Sequence, residues 1–267
     1  MRKTMIAFFS AALLLGTLTF MSCSKETPKE LPVPVDPGKP VEPGKPTPKP
    51  DDVFPAQTVG ITNKKMDNQQ GNITDYVLYI PDGYNEKKNY RWPVVISLHG
   101  VGEIGNDVNV VKRVGLPRVV AGKEFVMVAP QCLRNWWNIA TLQILYKEIL
   151  AKYHVDSSRV YLTGLSMGGM TTWDWSVAYP DQFAAIVPIS GMGDVNKACN
   201  LKAVPVWAFH NADDPTVDVK GSRNMVAALK ACGGNVQYTE NATGGHNAWD
   251  KAYANPALYT WMLQQHK

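Results

Sequence analysis

Short hydrophobic runs alternate with amphipathic stretches from residue 53 to the C-terminus. Runs rich in Val, Ile and aromatic residues, bounded by turn-forming residues, predict strands at residues 73–80, 93–98, 124–129, 159–163, 185–189, 204–209 and 236–239. Helical periodicity lies between them, at residues 139–153, 167–179, 219–231 and 256–265. Several strand candidates are apolar on both faces, as in a parallel sheet covered by helices. The alternation predicts an α/β three-layer sandwich, mostly parallel, with an antiparallel start near residue 73.

The beginning of the chain has the pattern of an export signal. Two basic residues precede an apolar run over residues 5–21, which ends in Ser22 and Cys23. This pattern predicts a secretory signal peptide over residues 1–22. The small residue before Cys23 resembles the lipobox of bacterial lipoproteins, in which the Cys is acylated after cleavage. The alternatives are a plain signal peptide with an incidental Cys or a short membrane anchor, although the run is short for a spanning helix.

A proline-rich segment follows Cys23. Residues 24–50 contain nine of the 19 prolines, and the six-residue pattern V-x-P-G-K-P occurs twice in succession. Such a composition predicts an extended tether over residues 23–52, of which residues 24–50 would reach roughly 80 Å in polyproline II form. We therefore expect an exported protein, anchored by lipid to a bacterial membrane, with one folded domain over residues 53–267.

Charge and cysteine content exclude several functions. The formal net charge of +4 is too small to indicate a nucleic-acid partner. No cluster of His, Cys and carboxylate residues has the spacing of metal ligands, and no glycine-rich loop resembles a phosphate or dinucleotide site. The sequence therefore predicts no metal and no cofactor. Four cysteines are too few for a disulfide scaffold. Cys199 and Cys232 are both expected at the sheet end opposite the candidate site; an exported protein permits their disulfide, and a reduced pair stays open.

The strongest chemical signal is a Gly-x-Ser-x-Gly motif around Ser166, from Gly164 to Gly168. A predicted strand leads into it and a predicted helix leads out. This is the setting of a nucleophile elbow, in which the serine is held in a strained turn above the sheet. Glycines are needed on both sides because side chains there would collide across the turn. The alternative is a tight turn with a passive serine.

A serine nucleophile needs a base and an acid. His246 lies in a loop after the last predicted strand, where this topology brings a histidine over the serine; capping of the next helix is the alternative. Asp214 follows the strand at 204–209 and precedes Pro215, which fixes the turn, so we favour it as the acid. Asp213 is the alternative, and weaker candidates are Asp194 and Asp218.

An oxyanion needs backbone donors. Met167, directly after the serine, supplies one N–H at the start of its helix. The second is expected from Val101, in the loop after the strand at 93–98. His99 and His210, each at a strand end, are interpreted as structural residues.

Two features bear on the substrate. Only residues 191–203 separate the strand after the elbow helix from the next one, which leaves no room for a cap domain. Trp136 and Trp137 follow the strand at 124–129 and should lie at the catalytic edge. One of them, preferably Trp137, is expected to stack on a sugar or aromatic acyl group. The alternative is that both fill the interface with the next helix.

Six segments together resemble the α/β-hydrolase superfamily over residues 60–265. They are IPDGYN, VVISLHGVGEIGND, VMVAPQC, DSSRVYLTGLSMGG, VPVWAFHNADDPTV and GGHNAWDKAY. More narrowly they resemble its secreted esterase branch, which includes feruloyl and acetyl-xylan esterases, polyhydroxybutyrate-depolymerase-like enzymes and "predicted peptidases". Carried over by position, the resemblance implies the same nucleophile, acid, base and oxyanion donors.

The expected function is hydrolysis of carboxylic esters through an acyl-Ser166 intermediate. The resemblance and the missing cap favour acetyl or feruloyl esters on plant polysaccharide. Two alternatives stay open: a serine peptidase of related fold, and a carbohydrate-binding protein that kept the fold without catalysis.

Overall fold

A computed structural model of the chain describes residues 54–69 and 71–267. The predicted signal peptide, Cys23 and the predicted tether through residue 52 lie outside the described residues, and the domain boundary at residue 53 stays a prediction. No helix in the described part of the chain is both long enough and apolar enough to cross a bilayer.

Eight strands form one sheet in the order β1-β2-β4-β3-β5-β6-β7-β8. They are β1 (Gly60–Lys65), β2 (Ile73–Ile80), β3 (Trp92–Leu98), β4 (Val126–Cys132), β5 (Val155–Leu165), β6 (Ala185–Ile189), β7 (Val206–Asn211) and β8 (Val236–Asn241). The strands β3 to β8 are parallel to one another, whereas β2 is antiparallel to both β1 and β4. The predicted antiparallel start is therefore confirmed, and it extends outward by β1.

Helices cover both faces of the sheet. One face packs against α2 (Ile139–Lys152), α3 (Met167–Ala178) and α4 (Lys220–Ala231), and the other against α1 (Gly115–Val119), α5 (Trp249–Ala254) and α6 (Pro256–Leu263). Successive side chains of β3 enter opposite cores: Val94 and Ile96 enter the first, and Val95 enters the second. Because both faces are covered, every residue of β3 is buried. The three-layer sandwich is confirmed.

The elements missing from the sequence prediction have weak local signals. The edge strand β1 has the sequence GITNKK, with half-buried and exposed positions in alternation. The helices α1 and α5 have only five and six residues, too short for a helical period to be visible. In contrast, β2 and β6 have the predicted bounds, and α2 ends within one residue of its prediction.

The connection from β6 to β7 contains one short 3-10 helix, Val195–Leu201, in place of a cap. Cys199 of this helix forms a disulfide with Cys232 at the end of α4, with the Cα atoms 5.5 Å apart. The open question of this pairing is thus answered. The bridge fixes the short connection to the helix layer, and Cys132 stays a free, buried thiol.

Candidate active site

Ser166 occupies the turn between β5 and α3. Its φ of 54° and ψ of −119° lie outside the regions that non-glycine residues ordinarily adopt. Its backbone N–H donates to the Ile189 carbonyl at 2.9 Å, and its carbonyl accepts from Met170 N–H at 2.9 Å. The strained residue is therefore held by a bond to the neighbouring strand β6 and by the first turn of α3.

The glycines of the motif allow the turn to approach two strands. A Cβ on Gly164 would overlap the backbone of Gly168, and one on Gly168 would overlap the carbonyl of Leu98 at the end of β3. These contacts are backbone to backbone, so no side-chain rotation would relieve them. They explain why the motif needs glycine on both sides of Ser166.

The three residues predicted as nucleophile, base and acid form one hydrogen-bonded chain. Ser166 Oγ lies 2.8 Å from His246 Nε2, and His246 Nδ1 lies 2.8 Å from Asp214 Oδ2. The Asp214 side chain is fully buried, whereas that of His246 is 22% exposed. Because a carboxylate only accepts, His246 Nδ1 carries a proton and Nε2 is free to accept the proton of Ser166.

The surroundings of Asp214 keep it ionised. Burial alone would raise the pKa of this carboxyl, but the hydrogen bond from His246 and those from the N–H groups of Val217 and Thr216 outweigh burial, so its pKa lies below the ordinary value. The two N–H groups donate to Oδ1 at 3.0 and 2.8 Å. Asp214 thus faces His246 as an oriented anion.

Asp213 has a different place from its neighbour. Its carboxylate accepts from the N–H groups of Gly244, at 3.2 Å, and Gly245, at 2.9 Å, in the loop that carries His246. The structure brings Asp214, rather than Asp213, to the imidazole. Asp213 instead holds the backbone of the histidine loop.

Two further residues fix the same loop, and sequence reasoning missed both. Asn211 Nδ2 donates to the Gly245 carbonyl at 2.9 Å, and Ser190 Oγ donates to the His246 carbonyl at 3.0 Å. Both side chains are buried, and Ser190 has a φ of 48°. A polar residue directly after β6 and another at the end of β7 are the signal that would have found them.

The loop after β3 lies against the elbow. A Cβ built on Gly100 would lie 3.4 Å from the Ser166 Cβ. The turn Val101–Glu103 is fastened to β4, since Gln131 Nε2 donates to the Glu103 carbonyl at 2.8 Å. Met167 begins α3 directly after the serine. Gly100, directly before Val101, thus lies close to Ser166, and Met167 follows the serine in sequence.

His99 is a structural residue in this loop. Its Nε2 accepts from Cys132 N–H at 2.9 Å, so Nδ1 carries the proton and donates to the Gly100 carbonyl at 2.6 Å. Burial lowers the pKa of His99 to about 4 and keeps the ring neutral. The neutral ring joins the loop after β3 to the end of β4.

Comparisons with known proteins agree with this geometry. A profile of the phospholipase/carboxylesterase family matches residues 138–255. A probable feruloyl esterase C of Aspergillus terreus is 27% identical over 169 residues, which cover 59% of this chain and 61% of that protein. A bifunctional acetylxylan esterase/xylanase of Neocallimastix patriciarum is 26% identical over 202 residues, which cover 72% of this chain and 29% of that protein.

A solved structure of a thermostable esterase superposes on the chain with a TM-score of 0.64 at 33% identity, covering 78% of this chain and 63% of that one. The sheet order, the strand–turn–helix elbow around Ser166 and the similar esterase structure all indicate the same fold. The chain therefore has the α/β-hydrolase fold. It spans less than two thirds of the length of each of these relatives.

The tryptophan pair is arranged differently from the prediction. Trp137 is only 5% exposed; its Nε1 donates to the His99 carbonyl at 3.2 Å, and its ring lies 4.7 Å from the His99 ring. A ring covered in this way has no face to offer a sugar, so the expectation for Trp137 is corrected. Its neighbour Trp136 is 46% exposed, and Asn72 Nδ2 donates to the Trp136 carbonyl at 2.6 Å.

The exposure of Trp136 in place of Trp137 has a local cause. Asn135 adopts a φ of 60°, which turns the chain just before the pair. Of the two rings, Trp136 is therefore the one presented at the edge where β4 ends. Among the described residues, no group of histidine, cysteine and carboxylate side chains is arranged to hold a metal ion.

Proposed function

We propose that this α/β hydrolase is a serine esterase that cleaves carboxylic esters through an acyl-Ser166 intermediate. The observation that carries the proposal is the hydrogen-bonded chain from Ser166 through His246 to Asp214, with both distances 2.8 Å. The esterase names of the relatives support the same reaction class. In this proposal each of the three side chains has one role.

In the acylation step, Ser166 Oγ attacks the ester carbonyl while His246 Nε2 accepts its proton. The carbonyl π electrons move to oxygen, and the backbone N–H groups of Met167 and Val101 stabilise that oxyanion. When the oxyanion collapses, the bond to the leaving alkoxide breaks and His246 gives its proton to the alcohol. The acyl group remains on Ser166 as an ester.

In the deacylation step, water takes the place of the serine hydroxyl. His246 Nε2 accepts a proton from the water as its oxygen attacks the acyl carbon. The second oxyanion forms in the same place and collapses, the bond to Ser166 Oγ breaks, and the proton returns to the serine. In both steps Asp214 stabilises the imidazolium and holds its orientation through Nδ1–H.

The substrates that we propose are acetyl or feruloyl esters on plant polysaccharide. The two relatives named above act on feruloyl and acetylxylan esters by their names. The short 3-10 connection between β6 and β7 supports an open site, which suits an ester on a bulky polymer. The exposed ring of Trp136, on a loop held by Asn72, offers a stacking surface at the same edge.

Replacement of Ser166 by Ala tests the reaction. We expect hydrolysis of p-nitrophenyl acetate to fall to the background rate, and a fluorophosphonate probe to label the unchanged protein but not the variant. Hydrolysis by the variant at the parent rate would contradict the mechanism, and absent labelling of the unchanged protein would favour the non-catalytic alternative.

A polymer assay tests the substrate class. Release of acetate and of ferulate from acetylated and feruloylated xylans identifies the acyl group. Trp136→Ala is expected to raise KM for the polymer several-fold and to leave p-nitrophenyl acetate hydrolysis unchanged, since stacking on a sugar or aryl group is lost. Tyr179→Ala is a matched control, because Tyr179 is an exposed aromatic residue at the far end of α3.

We also propose that the chain is exported and lipidated at Cys23, which rests on the sequence pattern alone. Cys23→Ser should move the protein from the membrane fraction to the soluble fraction of cells that express it. An unchanged membrane fraction would contradict lipidation.

A further inference from the structure

A second histidine touches the acid of the candidate triad. His210, near the end of β7, is fully buried. Its Nε2 lies 3.1 Å from Asp214 Oδ2, which is the same oxygen that contacts His246 Nδ1. Its position at a strand end predicts only a structural residue, and neither acylation nor deacylation involves it directly.

The remaining contacts of His210 settle where one of its protons lies. Nε2 is also 3.0 Å from the carbonyl oxygen of Val217. A carbonyl and a carboxylate both only accept, so Nε2 carries a proton and serves as their shared donor. On the other side of the ring, Nδ1 lies 2.8 Å from Ser222 Oγ, which contacts the Gly191 carbonyl at 2.9 Å.

Asp214 is thereby held from two directions. The N–H groups of Thr216 and Val217 donate to Oδ1, and the two imidazoles donate to Oδ2. The backbone donors alone would leave the position of Oδ2 dependent on His246, which is the group that Asp214 must orient. A buried donor on Oδ2 removes that dependence, because His210 is fixed by Ser222 on α4.

We propose that His210 is a positioning residue that orients the Asp214 carboxylate toward His246. This inference rests on the proposed function, since it assumes that Asp214 acts through His246. Loss of the Nε2 donor lets the carboxylate rotate, which misaligns the imidazole with Ser166. The loss therefore lowers kcat and leaves KM nearly unchanged, because the buried His210 does not line the surface beside Ser166 where a substrate would bind.

Two amide substitutions separate this role from simple packing. In His210→Gln the amide nitrogen reaches the position of Nε2 and keeps a donor for Asp214. In His210→Asn the shorter side chain reaches only the Nδ1 side, next to Ser222. Both variants are polar and differ by one methylene, so a comparison between them isolates the donor. Each is made in the unchanged protein and in the Asp214→Asn background, and p-nitrophenyl acetate is the probe.

We expect His210→Asn to lower kcat about 30- to 100-fold, as small misplacements of catalytic groups do, with KM changed less than about twofold. His210→Gln should retain kcat within about fivefold. In the Asp214→Asn background, His210→Asn should cost less than about a further threefold, because residues that act as one unit are not additive. Met225→Ala, which opens a cavity under the same helix layer, is the control: it should lower Tm without this pattern.

Three results would overturn the inference: an unchanged kcat in His210→Asn, equal losses in the Gln and Asn variants, or the same loss in the Asp214→Asn background. Failure of the proposed function is distinguishable from these. In that case the unchanged protein itself would not react with a fluorophosphonate probe, and the inference would fall with it.

Discussion

The two halves of the candidate site are held in place by different means. On the serine side, the elbow around Ser166 is fixed by backbone packed on backbone, with Gly168 against the end of β3. On the histidine side, the loop with His246 is held by side-chain hydrogen bonds: Asn211 and Ser190 donate to its carbonyls, and Asp213 accepts from its N–H groups. The serine side therefore requires positions without a Cβ, because a side chain there would overlap backbone. The histidine side instead relies on several polar side chains, each of which can be substituted separately. Substitutions should give an abrupt loss on the first side and graded losses on the second.

Gly168→Ala should have the largest effect. The new Cβ would overlap the backbone of Leu98, so either α3 or β3 must shift. We expect a loss of about 4 kcal/mol or more in the free energy of unfolding, together with loss of fluorophosphonate labelling. Urea denaturation measures the first and gel fluorescence the second.

Gly102→Ala is the matched control for that variant. No atom lies within 4 Å of the position of a Cβ there, and no positive φ is involved. Its free energy of unfolding should change by less than about 0.5 kcal/mol. If Gly168→Ala were as stable as this control, the contrast between the two halves would be wrong.

The two neighbouring aspartates should differ by orders of magnitude. Asp214→Asn leaves the shape of the site but offers His246 an amide, so we expect kcat for p-nitrophenyl acetate to fall about 10³- to 10⁴-fold. Asp213→Asn keeps an oxygen that accepts from the backbone of Gly244 or Gly245, so the fall should be less than about tenfold. Similar losses in the two variants would contradict the separation of acid and loop brace.

His99 should make stability fall between pH 6.5 and pH 4. The folded protein keeps this ring neutral, with a pKa of about 4 against an ordinary 6.5, because it is buried. In that interval the unfolded chain binds a proton that the folded chain does not, so the free energy of unfolding decreases as pH falls, by up to about 3 kcal/mol. Urea denaturation at pH 7, 5.5 and 4.5 measures the slope.

His99→Gln provides the control for that measurement. Its amide oxygen can accept from Cys132 N–H, yet it does not titrate, so the slope above pH 4 should flatten. Asp214 has a lowered pKa, and its contribution is present above the unfolded value near 4 and lost below it. The two contributions therefore fall in separate pH ranges. If the variant showed the same slope, the pH dependence of the free energy of unfolding would come from titratable groups other than His99.

Much of the serine side was predictable because its determinants are local. A strand, two glycines around a serine and a helix are consecutive in sequence, and the turn between them has few solutions. The central strands were predictable for a similar reason, since burial on both faces demands continuous apolar runs. The short elements β1, α1 and α5 offered too few positions for a period to be recognised.

The tryptophan pair and the histidine side were less predictable because their determinants are distant. Whether Trp136 or Trp137 is covered depends on the left-handed turn at Asn135 and on His99 in another loop. Asp213 and Asp214 are adjacent, and the sequence separates them only by the proline after Asp214; in the structure, their partners in a loop more than thirty residues away show which one contacts His246. Ser190 carries no motif at all. Its role depends on where the chain places the His246 carbonyl.

Ser190→Ala should give the smallest measurable effect, and it is the most direct test of graded loss on the histidine side. It removes one hydrogen bond to the His246 carbonyl. Position 190 has a positive φ, and because alanine carries a Cβ as serine does, the substitution does not change the backbone strain there. We expect a loss of about 1 kcal/mol in the free energy of unfolding and a three- to tenfold fall in kcat, which corresponds to about the same energy.

Ser158→Ala is the control, because it also removes a side-chain hydrogen bond, but at the end of β5 that is far from Ser166. It should lower stability without lowering kcat. If both variants left kcat unchanged, the loop would be held redundantly by Asp213 and Asn211, and only the combined substitution of all three braces would release His246.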